Sequence, residues 1–247
     1  MNIMVTAGNT QTPIDRVRCI TNIFSGRTGT RIAAHAHERG HAVTLLTSHP
    51  ELVRELAPGQ SFPAATWNVR PYRTFDDLHD LLAELVPAGA FQAIIHCAAV
   101  SDFEVAGVYA ASPGGFDSAT GQWRAGSKLV DAASPKIASK HSELWLRLVP
   151  TPKLIDQMRG QWGFHGVLVK FKLEVDVSEP ELLRIADESR RQSDADILVA
   201  NTLDGMHEVA FLCVRYGDIE RVPRDELPAR LIQALEAKNA KRSPGPG

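Results

Sequence analysis

Cysteine is scarce in this chain of 247 residues, and the little there is does not pair. Cys19, Cys97 and Cys213 are widely spaced and odd in number, with no CxxC among them, so neither a disulfide framework nor a structural zinc site is expected. Long apolar runs are missing as well. No stretch approaches the roughly 20 residues of a membrane span, and the N-terminus opens on a strand pattern where a secretory leader would carry a charged region and an apolar core. Nor is there an excess of either charge. Lys and Arg number 27 against 29 Asp and Glu, for a formal net charge of -2, which gives no reason to expect a nucleic acid or an anionic membrane as partner. A reducing cytoplasm is the setting these absences suggest. Two motifs are also lacking: GxGxxG after the first strand, and YxxxK anywhere. Without them a nicotinamide oxidoreductase is only a rival reading.

What is present is an ordinary globular composition, 44% apolar and 23% charged, on a chain long enough to bury a sizeable core. Residues 2–6 read as a buried strand, 26–39 as a helix closed by Gly40, and His41–Thr47 as the next strand. Strand, helix and strand within about 45 residues is a βαβ unit, the element of parallel sheets with right-handed crossovers. Further strands are read at Ala65–Val69, Ala93–Ala98, Glu143–Val149, Gly166–Phe171 and Ala195–Ala200. Helices are read over Thr74–Val86, from Pro152 to Arg159, over Ser178–Arg191 with Ser178 and Glu181 spaced as a capping box, and over Arg224–Ala237. His207–Arg215 and Asp218–Val222 suggest an antiparallel hairpin through Tyr216-Gly217. The expectation is a doubly wound α/β domain over 1–240, mainly parallel, with an antiparallel C-terminal extension. Residues 104–143 show no trusted period and read as a long flexible segment, and 241–247, ending Ser-Pro-Gly-Pro-Gly, as a disordered tail.

The informative stretch is Met4–Gly29. An apolar run ends in Ala7-Gly8-Asn9, a Pro-Ile-Asp segment follows, and Ser25-Gly26-Arg27-Thr28-Gly29 opens a helix. A buried strand end next to the unpaired N–H groups of a helix start favours bound phosphate. The glycines at 8, 26 and 29 are too far apart for one dinucleotide-binding turn. A second small and acidic strand end, Ala98 to Asp102, lies where open α/β sheets bind ligands.

These residues resemble phosphopantothenate–cysteine ligase, also called phosphopantothenoylcysteine synthetase. The resemblance is carried by Thr6-Ala7-Gly8-Asn9-Thr10, Pro13-Ile14-Asp15, Val17-Arg18, Ile20-Thr21-Asn22 and Ser25 to Gly29. It continues through Ala98 to Phe103, Pro135-Lys136-Ile137, Val149-Pro150, Phe171-Lys172-Leu173-Glu174 and Val199-Ala200-Asn201. It implies a Rossmann-like sheet and a ligase of coenzyme A biosynthesis, whose substrates are 4′-phosphopantothenate, L-cysteine and CTP or ATP with Mg2+. The carboxylate attacks the α-phosphate to give an acyl nucleotidylate, and the cysteine amine then displaces the nucleoside monophosphate. No flavin decarboxylase precedes Met1, so FMN is not expected. A homodimer is.

By the same resemblance Asn22 would act on the acyl intermediate, and Lys136 would bring a mobile cation to the triphosphate. Gly8, Ser25, Gly26, Arg27, His96, Cys97, Ala98, Asp102, Pro152, Lys153, Leu154, Ile155 and Phe171 would hold nucleotide or phosphate. Ala99 and Asn201 would contact the substrate, and no protein ligand set for a metal is implied. Taken alone, His96 in its apolar strand reads as a satisfied core histidine. Three positions depart from the pattern. Arg27 stands where lysine is usual, not a neutral change at a phosphate. Ser189 and Ser193 stand where many CTP-using members carry two lysines, and FKLE at 171–174 looks more like stand-alone and eukaryotic members. CTP and ATP therefore both remain open, as does a non-catalytic nucleotide-binding relative.

Overall fold

The computed structural model describes residues 1–215 and 218–242. The hairpin turn expected at Tyr216-Gly217 and the last five residues of the tail lie outside them. In chain order, β1 (Asn2–Ala7), β2 (Gln11–Pro13) and β3 (Cys19–Thr21) precede α1 (Arg27–Glu38) and β4 (Ala42–Thr47). Next come α2 (Leu52–Leu56), β5 (Trp67–Pro71), α3 (Phe75–Ala88) and β6 (Ala93–His96). Five further strands follow: β7 (Phe103–Ala111), β8 (Phe116–Asp117), β9 (Gln122–Trp123), β10 (Leu129–Asp131) and β11 (Trp145–Pro150). The chain then runs α4 (Leu154–Gly160), β12 (Val167–Glu174), α5 (Glu179–Gln192), β13 (Ile197–Thr202), β14 (Val209–Arg215), β15 (Asp218–Pro223) and α6 (Leu227–Arg242).

The main sheet has eight strands in the order β15-β14-β13-β12-β6-β1-β4-β5. From β13 to β5 all neighbours are parallel, and β14 and β15 are added antiparallel. This is the Rossmann-like arrangement. The parallel strands are covered on both faces, so Ile3, Met4, Val5, Ile94, Ile95, Val167, Leu168 and Val169 are all fully buried, as parallel sheets require. Alternation sorts them. Ile3, Val5, Ile95, Val169 and Val199 meet Ile32 of α1 and Leu231 and Ile232 of α6. Met4, Ile94 and Leu168 meet Leu78 and Leu82 of α3 and Leu154 and Met158 of α4. Leu198 and Ala200 meet Leu182 and Ala186 of α5 on that second face. The chain steps outward from β1 through β4 to β5, then returns to the other side of β1 as β6. The strand order therefore reverses between β1 and β6, and at that point the carboxyl ends open a crevice.

Several local expectations are corrected. Residues 104–143 are not without regular structure: β7 pairs antiparallel with both β10 and β11. Packing among Phe116, Trp123 and Trp145, at centroid distances of 4.6 to 5.3 Å, holds β8 and β9 against β11. Along β7 only Val108 is buried, so no clean apolar alternation marks these strands. A bulge between Arg147 and Leu148 breaks the alternation of β11 and leaves Leu148 44% exposed. The capping box forms at α3, where Thr74 and Asp77 exchange side-chain bonds with each other's backbone. It does not form at α5. Ser178 makes no side-chain cap bond there, and the Glu181 carboxylate that would complete the box is held by Arg184 at 2.8 Å. Helix α4 begins two residues after Pro152, and α6 runs on to Arg242, whose guanidinium reaches Asp196. Among the described residues no helix is long and apolar enough to cross a membrane.

Candidate active site

Two turns build one wall of the crevice. Gly8, after β1, and Gly26, before α1, both have positive φ, 93° and 89°. They are pressed together: a Cβ on Gly26 would lie 2.1 Å from the Gly8 amide nitrogen. Only glycine permits both the left-handed backbone and that approach. Because Gly26 is the N-cap, no side chain caps α1; Gly29 N–H is spent on the Cys97 thiol, and the helix start still offers its positive end to an anion. The intervening loop folds back as the β2–β3 hairpin and delivers Asn22. The Asn22 side chain donates to the Ala99 carbonyl at 3.0 Å, while the Asn22 backbone carbonyl accepts from the Asn9 side chain at 2.6 Å. Tyr72 fixes the end of β1 by donating to the Ala7 carbonyl at 2.7 Å.

The opposite wall follows β6. Ala99 N–H bonds the Gly8 carbonyl at 2.8 Å, Ser101 is tied to Thr10, and Thr151 donates to the Ser101 carbonyl at 2.6 Å. These bonds bring the start of α4 beside Asp102, whose carboxylate pairs with Lys153 at 2.7 Å. The result is a cleft of about 1140 Å3 running across the strand ends from α1 to α5.

The cleft is basic, although the whole chain is slightly acidic. Arg27, Arg31, Lys153, Lys170, Lys172 and Arg224 line it, against Asp102 and Asp156. Arg224 reaches in from the segment after β15, donating to the Asn201 side chain at 3.1 Å and to the Thr28 hydroxyl. Lys170 donates to the Ser189 carbonyl and the Ser193 hydroxyl. Burial holds both cations below their ordinary pKa. His96 hydrogen-bonds Thr6 at 3.1 Å. Its pKa is lowered to about 4, first by burial and then by the charge of Lys170, so it is neutral at pH 7. Burial pushes the Cys97 thiol up to about 12, with Arg224 partly opposing. Neither group is a reactive base or nucleophile in this state.

Gly8, Asn22, Ser25, Gly26, Arg27, His96, Cys97, Ala98, Ala99, Asp102, Pro152, Lys153, Leu154, Ile155, Phe171 and Asn201 all line this one cleft. Lys136 does not. It is exposed between two anchored neighbours: Pro135 accepts from Arg16 N–H at 3.1 Å, and Ile137 N–H donates to Asp15 at 3.1 Å. Asp15 also accepts from Arg18 at 2.6 Å, and Arg18 in turn donates to the Ile137 carbonyl at 2.7 Å. Two separate sequence motifs are thus fastened to each other. Arg18 holds the Asp15 carboxyl well below the usual carboxylate range. The Arg27 guanidinium is turned to Glu55 of α2, 2.6 Å away. The sequence reading missed Arg31, Lys170, Lys172 and Arg224. The two lysines alternate with Phe171 at the polar end of β12, a readable sign. Arg224 follows a hairpin, and nothing local marks it.

Among the described residues no group of three His, Cys, Asp or Glu side chains could hold a metal. The two cleft carboxylates are already engaged, Asp102 by Lys153 and Asp156 by Ser193.

Comparison with known proteins matches residues 1–111 to the DNA/pantothenate metabolism flavoprotein C-terminal domain. The chain is 31% identical over 240 residues to the coenzyme A biosynthesis bifunctional protein CoaBC of Thermococcus kodakarensis, a match covering 95% of this chain and 50% of that one. It is 27% identical over 208 residues to the CoaBC of Escherichia coli, covering 81% of this chain and 41% of that one. The chain therefore spans about half the length, or less, of the curated relatives it matches. Among solved structures, the DNA/pantothenate metabolism flavoprotein of Streptococcus pneumoniae superposes with a TM-score of 0.74 at 27% identity, covering 96% of this chain and 99% of that one. A Cab2 mutant in complex with phosphopantothenate-cysteine gives 0.69 at 17% identity, covering 97% and 86%; at that identity the likeness is one of fold.

Proposed function

We propose that this chain, related over nearly all its length to a coenzyme A biosynthesis bifunctional protein, is a phosphopantothenate–cysteine ligase. It joins 4′-phosphopantothenate to L-cysteine through an acyl nucleotidylate, at the expense of CTP or ATP. The observation that carries this reading is the position of Asn22, an uncharged donor held to the Ala99 carbonyl in a cleft lined by six cationic side chains and two carboxylates.

Activating a carboxylate on a nucleotide brings two anions together, and the barrier falls by positioning and by donors aimed at charge developing on phosphorus. The α1 start, with Ser25, Gly26 and Arg224, suits the phosphate of phosphopantothenate; Phe171 and the Pro152–Ile155 segment suit the nucleotide. Asn22 then hydrogen-bonds the acyl nucleotidylate without adding charge while the cysteine amine attacks the acyl carbon and the monophosphate departs. Magnesium enters as the counter-ion of the triphosphate. Lys136, on its anchored turn, would have to swing toward the cleft when nucleotide is bound. No FMN takes part in these steps. The active species is a homodimer, to which the exposed Leu129, Val130 and Phe103 of the three-stranded sheet contribute apolar surface; a monomer by light scattering would contradict that. Incubation with both substrates, Mg2+ and either nucleotide should release pyrophosphate only when phosphopantothenate is present. No release with any nucleoside triphosphate would overturn the assignment.

A further inference from the structure

Lys170 differs from the other lysines of the cleft in how it is held. Lys153 pairs with Asp102 and Lys172 with Glu174, each at 2.7 Å. Among the described residues no carboxylate forms an ion pair with Lys170. The parity of β12 explains where it points: Leu168 faces α3 and α4, so Lys170 emerges on that same face, opposite His96 in the register of β6. There its ammonium donates to the Ser189 carbonyl at 3.0 Å and to the Ser193 hydroxyl at 2.5 Å. The Ser193 hydroxyl donates onward to Asp156 at 2.5 Å, and Ser193 is only 3% exposed. An ammonium has three donors. Two are spent on α5, and Lys170 still lines the cleft with Asp156, Ser189 and Gln192.

We propose that Lys170 is a nucleotide-contacting residue, its remaining N–H directed to an acceptor oxygen of the nucleoside triphosphate, with Ser193 as the positioning residue that holds it. The proposal rests on the ligase reading and deepens it. It also gives a role to Ser189 and Ser193, which hold the ammonium. Helix α5 supplies a carbonyl and a hydroxyl, and the strand supplies the charge. A lysine at 193 would set a second ammonium against Lys170.

The test is calorimetric titration of the intact protein with Mg·CTP and Mg·ATP, beside the KM values of the pyrophosphate assay. A hydrogen bond from a charged donor is worth roughly 1.5–3 kcal/mol, so Lys170→Met should weaken the preferred nucleotide about tenfold or more. The KM for phosphopantothenate should stay within about twofold. Lys170→Gln, which can keep the bond to Ser189 but carries no charge, should show the same split, and it decides the matter if the methionine variant does not fold. Ser193→Ala should weaken nucleotide several-fold, with recovery in Ser193→Thr. Nucleotide affinity within twofold of wild type in the folded lysine variant, or an equal rise in both KM values, would overturn the proposal and leave the ligase reading standing. A wild-type protein that binds neither nucleotide would overturn both.

Discussion

Replacing His96 by Asn gives a test of the cleft floor in which the sign and size of the effect both follow from the structure. His96 is buried, hydrogen-bonded to Thr6, and has its pKa lowered from 6.5 to about 4 by burial and then by Lys170. The unfolded chain takes up a proton near pH 6.5, and the folded protein resists until about pH 4. Stability from the neutral imidazole is therefore fully present above pH 6.5 and is lost as pH falls toward 4. Between those values the slope is about 1.4 kcal/mol per pH unit, so the loss from pH 7 to pH 5 is about 2 kcal/mol. Asn can keep a hydrogen bond to Thr6 and does not titrate. Urea unfolding of wild type and His96→Asn at pH 7, 6 and 5 separates this effect from groups common to both proteins. The stability of wild type relative to the variant should fall by about 2 kcal/mol over that range. A relative stability constant to within about 0.5 kcal/mol would refute a neutral, desolvated His96.

Other positions make separate claims. Asn22→Asp should leave pyrophosphate release in a first turnover while cutting product formation by about a hundredfold, because a carboxylate would face both the Ala99 carbonyl and the anionic intermediate; quench-flow that finds both steps equally slowed would contradict this. Lys136→Ala should instead slow the first step, and an unchanged pyrophosphate burst would remove Lys136 from the mechanism. Gly26→Ala carries a left-handed backbone penalty of about 1–2 kcal/mol and drives a Cβ to 2.1 Å from the Gly8 nitrogen. Titrations should then show phosphopantothenate weakened more than nucleotide, and an unchanged affinity for phosphopantothenate would remove the α1 start from its site. Asp15→Asn removes the carboxylate that Arg18 and Ile137 share, so limited proteolysis should cut near Pro135–Ile137 faster than in wild type; equal rates would show that the anchor is dispensable.

Much of this architecture could be read directly from the chain. The apolar runs at Ile3-Met4-Val5, Ile94-Ile95 and Val167-Leu168-Val169 are short, bounded and buried on both faces, which is the pattern of parallel strands and gives the sheet. Thr74 marks the start of α3 because its hydroxyl has a local partner; Ser178 marks the start of α5 equally well, although its side chain makes no cap bond. Residues 104–143 were illegible for a physical reason: strands of which only scattered residues such as Val108 are buried leave little apolar alternation. The two glycine turns were legible as turns, since φ and close approach both demand glycine. Their direct contact was not, because it depends on how the β2–β3 hairpin folds back. Lys170 could have been found from its alternation with Phe171. Arg224 could not, because only the tertiary return of the chain after β15 brings it to Thr28 and Asn201.

The central claim is that the cleft activates phosphopantothenate on a nucleotide and transfers it to cysteine. It is met most directly by one coupled assay: pyrophosphate release with phosphopantothenate, cysteine, Mg2+ and each of four nucleoside triphosphates in turn. The account predicts release with CTP or ATP that vanishes when phosphopantothenate is omitted, together with stoichiometric nucleoside monophosphate and a new amide. Binding of nucleotide with no phosphopantothenate-dependent release under any of the four would contradict it.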